Sequence, residues 1–166
     1  ANRVMPANSE SAVAAMIGSI KEIVDAQIKA DQDFATTYLK KNDCALVFVR
    51  DGEVLFESHK KGIQPMYEAL LSEVDLTGAV LADRVIGRAA AMLALSVGIR
   101  SLFTFVMSES ALAVCKKKNF LAFTYGELSP FVMNRAQDDL CPIEKLSQET
   151  DDPQVLMNKV EKFLRD

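Results

Sequence analysis

Residues 78–92 read GAVLADRVIGRAAAM, from Gly78 to Met92. Four small or apolar residues, Ala79 to Ala82, stop at Asp83, and an alanine-rich run follows Gly87. The pattern predicts a short buried strand over Gly78 to Ala82 and a helix over Arg84 to Val97. Gly98 would stop that helix. Asp83 would then cap the helix start. Arg84 and Arg88, four residues apart, would share one face of its first turns. This is a strand feeding a helix, the unit from which parallel α/β sheets are built.

The flanking sequence repeats the unit. Leu102 to Met107 reads as a strand, Ser108 as the cap of a helix to about Lys118, and Phe120 to Tyr125 as a further strand. Upstream, Ala45 to Val49 and Val54 to Phe56 flank Asp51-Gly52, a strong hairpin signal because a two-residue turn needs positive φ. Gln64 to Val74 reads as a short helix with Pro65 at its start and Met66, Ala69, Leu70 and Val74 inward. A hairpin leading into strand–helix units predicts an α/β protein, a three-layer α/β/α arrangement with a mixed β-sheet.

Both ends are helical. From Ser9 to Lys40, the residues Val13, Met16, Ile17, Ile20, Ile23, Val24 and Ile28 recur at helical spacing. That stripe either packs on the sheet or pairs with a second copy, and its length favours a homodimer. Asp151, Asp152 and Pro153 open a last helix, Gln154 to Leu164, with Leu156, Val160 and Phe163 as its apolar side. The expected organisation is an N-terminal helical extension (1–43), an α/β domain (44–145) and a C-terminal helix (146–166) packing on that domain.

Composition narrows the function. The chain has 166 residues, 49% hydrophobic and 25% charged, with a net charge of -4, which suits one globular domain. The acidic balance argues against general nucleic-acid binding, which needs a basic face to neutralise phosphates. No apolar run reaches the ~20 residues of a membrane span, so no membrane partner is expected. Cys44, Cys115 and Cys141 are an odd number without a CxxC pair, which fits free thiols in a reducing cytoplasm.

In open α/β sheets ligands bind beyond the carboxyl ends of the strands. Two strand ends and two helix starts meet here by this reading, at Asp83 and at Ser108. Asp83, Arg84, Gly87, Arg88, Ser108, Glu109 and Ser110 therefore bound a candidate pocket for a small polar or anionic molecule. The arginines would hold an anionic group and Asp83 would orient a donor. The same residues would equally serve as helix caps and surface ion pairs. A second polar cluster, Asn134-Arg135 to Asp138-Asp139-Leu140-Cys141-Pro142, would close over the pocket. Cys141, Asp83 and Glu109 are the candidate catalytic groups. Cys44 and Cys115 read as structural, and His59, beside Lys60 and Lys61, as a solvated loop residue.

The segments LVFVRDGEVLFES (46–58), GIQP (62–65), GAVLADRVIGRAAAML (78–93), Asn134-Arg135 and LCPIEK (140–145) resemble a small prokaryotic family of unknown function. That family is placed in the cytidine-deaminase-like fold. The resemblance runs from about Tyr38 to Lys145 and implies a three-layer domain with a mixed sheet. Zinc deaminases of this fold place His-x-Glu at one helix start and CxxC at the next. The corresponding places here would be Asp83-Arg84-Val85 and about Ser108-Glu109-Ser110. Neither motif occurs in the chain, so no metal site and no cofactor is expected, and zinc is disfavoured. The leading expectation is a small-molecule-binding or metabolic protein. The alternatives are a divergent hydrolase or deaminase using a base such as Glu109, a sulfur transferase using Cys141, and an oligomeric interaction protein.

Overall fold

The structure, a computed structural model, describes residues 6–132 and 141–166. Its elements are α1 (Pro6–Lys41), β1 (Leu46–Arg50), β2 (Glu53–Ser58), α2 (Gln64–Leu71), β3 (Val80–Ile86), α3 (Arg88–Ser96), β4 (Ser101–Ser108), α4 (Glu109–Lys116), β5 (Ala122–Ser129), α5 (Pro142–Ser147) and α6 (Pro153–Arg165).

The five strands form one mixed sheet in the order β2-β1-β3-β4-β5. β1 is antiparallel to both neighbours, and β3, β4 and β5 are parallel. The β1–β2 hairpin turns on Asp51 (φ 53°) and Gly52 (φ 76°), both left-handed, as the Asp-Gly pair requires. α1 covers one face, where Ala35 and Leu39 meet Val47, Val49, Val80 and Ala82. The larger core lies on the other face. There Leu46, Phe48, Leu81, Leu102 and Met107 pack against α2, α3, α4, α5 and α6. Ala89 to Ala94 of α3 are all buried, which explains the alanine run: a helix packed on several sides needs small residues.

α1 is two structures in one helix. From Ser9 to Gln27 every residue is exposed, and only the part from Ile28 onward packs on the sheet. Asp31 anchors that part by accepting the Asp51 and Gly52 N–H groups, each at 2.9 Å. Gln32 adds two contacts, donating to the Leu81 carbonyl at 3.0 Å and accepting from the Ser101 hydroxyl at 2.6 Å. Among the described residues no helix is long and apolar enough to cross a membrane.

Several expected boundaries move. β3 does not end at Ala82 but continues to Ile86, because its parallel ladder with β4 runs on to Ile86↔Met107. Asp83, Arg84 and Val85 therefore lie in a strand, and α3 starts at Arg88 with Gly87 as its N-cap. Val85 and Ile86 are β-branched and favour the pleated ladder over a helix start. β5 runs from Ala122 to Ser129, later than expected, and Phe120 is 76% exposed. α2 ends at Leu71, which leaves Val74 outside it and exposed. Phe163 of α6 is exposed, while Leu156 and Val160 are buried.

Candidate functional site

The parallel strands are kinked together near their carboxyl ends. The β3–β4 register passes from Asp83↔Thr104 to Val85↔Val106, and β4–β5 from Thr104↔Tyr125 to Val106↔Glu127. The intervening Arg84, Phe105 and Gly126 are unpaired in these ladders. Leu81 and Ile86, five residues apart, join the same core cluster, as do Leu102 and Met107. Strict alternation would place each pair on opposite faces, so the facing of side chains shifts by one residue at this level while the strands stay in register. Gly126 permits it: a Cβ there would stand 2.8 Å from the Phe105 carbonyl oxygen.

Asp83 and Thr104 are cross-strand neighbours at this kink. The Asp83 carboxylate accepts the Arg84 N–H at 2.7 Å and the Val85 N–H at 3.4 Å, and the buried Thr104 hydroxyl donates to the Val106 carbonyl. Removal from water raises the Asp83 carboxyl to about 7. The two N–H donors and the Arg84 charge oppose that shift. A carboxyl inside β3, three residues before its end, that titrates near neutrality has the character of an acid–base group.

One side chain that the sequence reading did not single out fills the start of α3. Glu144 of α5 is 5% exposed, and its carboxylate accepts the Arg88 N–H at 2.7 Å. Its other oxygen accepts from the Ser110 hydroxyl at 3.4 Å, and Ser110 lies 3.2 Å from Ser108, which caps α4 by accepting the Ala111 N–H. A continuous chain of contacts thus ties both helix starts together. Burial raises the Glu144 carboxyl, against the donors at Arg88, Ser110 and Ala89. Gly87 exists for this contact. A Cβ there would come within 2.1 Å of the Glu144 carboxylate, although the backbone (φ -94°, ψ -176°) would accept any residue.

The two arginines part company. Arg84, on β3, packs against the end of α1: its Nε donates to the Cys44 carbonyl at 2.7 Å, and its Nη2 meets the Leu39 carbonyl and Asp43. Arg88, on α3, is bound to the α5–α6 connection through the Ser147 and Thr150 carbonyls and Asp151. They share no helix face, and both guanidinium groups are committed to the protein. Glu109 is exposed at the first position of α4. Cys141 is half-buried as the N-cap of α5, its N–H donating to the Val132 carbonyl. Asn134, Arg135 and Asp138 to Leu140 lie outside the described residues.

The hairpin assembles a third cluster. Cys44, just before β1, and His59, just after β2, are brought together because Leu46 pairs with Ser58. Cys44 Sγ donates to Glu57 Oε2 at 3.3 Å, and His59 Nε2 lies 3.7 Å from the same oxygen. Tyr38 donates to Glu57 Oε1 at 2.7 Å, and His59 Nδ1 is 3.1 Å from the Asp43 carbonyl. Burial and the Glu57 carboxylate push the Cys44 thiol up to about 11, the reverse of what a nucleophile needs. His59 is exposed in the loop after β2, as expected, and is also part of this cluster. The sequence does contain its signal: with Asp51-Gly52 as the turn, the hairpin register places residues 44 and 59 at the same end.

Comparison with known proteins agrees with the fold. The crystal structure of a DUF1893 family protein (TM1506) from Thermotoga maritima is 30% identical, with a TM-score of 0.73 over 81% of this chain and 90% of that one. No curated protein matches the chain. The family described as TM1506, domain of unknown function (DUF1893), matches residues 34–164. The match takes in α6 and leaves out the exposed part of α1. The chain belongs to the DUF1893 (TM1506) family of domains of unknown function.

Proposed function

We propose that the domain is a cytidine-deaminase-like module without catalytic zinc that binds a small polar molecule at the carboxyl ends of β3 and β4. The observation that carries this reading is the Glu144–Ser110–Ser108 chain joining the starts of α3 and α4. Glu144 supplies from within the chain the negative charge that a helix N-terminus attracts. The ligand therefore presents hydrogen-bond donors, or an amide-like edge, rather than an anionic group at α3. Asp83, able to hold or release a proton near neutrality, suits such an edge. The sheet order, with an antiparallel β1 and two strand–helix units side by side, supports the cytidine-deaminase-like assignment. Free Cys44, Cys115 and Cys141 support placement in a reducing cytoplasm.

Nucleosides carry the required edge without a phosphate. Cytidine and adenosine, titrated at millimolar concentration, should shift the backbone amides of Asp83 to Arg88 and Ser108 to Ala111 in ¹H–¹⁵N spectra. Glu144→Gln should weaken the response. Spectra unchanged in both segments, together with no small molecule released from natively purified protein, would sink the reading.

A second reading concerns assembly, and the exposed part of α1 favours it. Val13, Met16, Ile17, Ile20 and Ile23 are each 54–69% exposed along one side of a helix that extends about 33 Å from Pro6 to Gln27. Val13, Met16, Ile20 and Ile23 keep the alternating three- and four-residue spacing of a coiled-coil seam. We infer that this arm pairs with the same arm of a second copy, making a homodimer. Light scattering should give twice the chain mass for the wild type and the single-chain mass for Ile17→Glu/Ile20→Glu. Equal masses for the two proteins refute the pairing.

A further inference from the structure

We propose that Cys44, Glu57 and His59 form a binding site for a divalent zinc-type ion, independent of the β3–β4 edge. The three ligand atoms, Cys44 Sγ, a Glu57 carboxylate oxygen and a His59 ring nitrogen, lie within 4.8 Å of one another. Ordinary zinc bond lengths and a tetrahedral angle put sulfur and oxygen ligands about 3.6 Å apart, and nitrogen and oxygen about 3.4 Å apart. The corresponding separations here are 3.3 Å and 3.7 Å, so the side chains need only small adjustments to accept an ion.

The surrounding contacts orient the ligands. His59 Nδ1 faces the Asp43 carbonyl, which fixes the ring with Nε2 toward Glu57. Tyr38 holds Glu57 Oε1, which leaves Oε2 turned to Cys44 and His59. Histidine and carboxylate ligands anchored through their second polar atom are the usual outer-shell arrangement of zinc sites. Charge fits as well, since a divalent ion would neutralise one thiolate and one carboxylate. Two neighbouring cations are matched elsewhere, Arg84 by Asp43 at 3.2 Å and Lys60 by Glu68 at 2.7 Å. Thiolate, imidazole and carboxylate together favour zinc-like ions over magnesium or calcium. Three protein ligands beside exposed Glu57 and His59 leave a fourth position for water or an exchangeable group.

The site is distinct from the zinc position of deaminases, for which the chain lacks both motifs. It draws on the hairpin and the end of α1. An ion would clasp the three segments that converge there: the α1–β1 junction, the end of β2 and the loop after it.

The test uses the full chain, stripped with a chelator and titrated with cobalt(II) and then zinc(II). The wild type should bind one cobalt per chain with a thiolate-to-cobalt charge-transfer band that zinc abolishes. Cys44→Ser should lose the band. His59→Gln, at an exposed position that does not endanger folding, should weaken binding at least tenfold. Tyr38→Phe should weaken it by about 10-fold or more while leaving all three ligands in place. The proposal is overturned by a wild type without the band, by a band that survives Cys44→Ser and so belongs to another thiol, or by wild-type affinity in His59→Gln.

Discussion

Gly87 and Glu144 offer the sharpest check on how the starts of α3 and α4 are held. Gly87→Ala adds one methyl group at a backbone conformation open to every residue, so no dihedral strain enters. The methyl carbon would lie 2.1 Å from Glu144 Oε1 and 2.8 Å from its Cδ, against the ~3.4 Å or more of ordinary contact. The carboxylate must withdraw by more than ~1 Å, and the Arg88 N–H loses its acceptor. Losing a charge-assisted bond at a helix N-terminus costs about 2–3 kcal/mol. The same substitution in a Glu144→Ala background meets no carboxylate. Only the contact with Val132 Cγ2 at 3.1 Å and the weak alanine cap remain, at a cost of about 1 kcal/mol or less. A double-mutant cycle by urea unfolding at neutral pH should therefore show a coupling of about 1.5–2 kcal/mol. If Gly87→Ala costs the same in both backgrounds, the glycine is not there to admit Glu144.

Three further outcomes follow from the same contacts. The Asp83 carboxyl is raised from 3.8 to about 7, so the folded state holds its proton where the unfolded chain has released it. Its contribution is whole below about pH 4 and is lost as pH rises through 7. Wild type should lose up to about 4 kcal/mol more than Asp83→Asn across that window in urea titrations, and parallel curves would refute the assignment. Asp31→Ala strands the Asp51 and Gly52 N–H groups and should cost about 2–3 kcal/mol, with faster hydrogen exchange at those two amides; unchanged exchange would exclude Asp31 as the hairpin's anchor. Arg88→Met removes the donors that hold Ser147, Thr150 and Asp151. It should cost about 2–3 kcal/mol and speed exchange at the start of α6, whereas an unaltered unfolding midpoint would show the clamp to be idle.

Much of the frame was legible in the chain because its signals are local. Asp51-Gly52 sets a hairpin, Gly98 (φ +80°) closes α3, and Ser108 and Asp152 cap α4 and α6. The end of β3 was misplaced for a physical reason. Asp83 and Arg84 look like a cap and a first helical turn, but the ladder to β4 holds them extended as far as Ile86. That ladder depends on residues about twenty positions away, which no window over 78–92 contains. The α1 stripe was legible as a stripe, yet only docking on the sheet separates its buried part, Ile28 onward, from the arm before it.

The sites divide along the same line. By itself the sequence determined most element types, the mixed sheet and the absence of deaminase zinc motifs. Periodicity and turn chemistry act over a few residues, so one chain suffices to read them. Tertiary structure alone decided which polar group meets which. Glu144 reaches the start of α3 from 56 residues away, and Arg84 and Arg88 turn to opposite ends of the chain. Cys44, Glu57 and His59 converge through the hairpin register. Such contacts are fixed by the packing of helices on a kinked sheet, and packing is a property of the assembled core rather than of any segment.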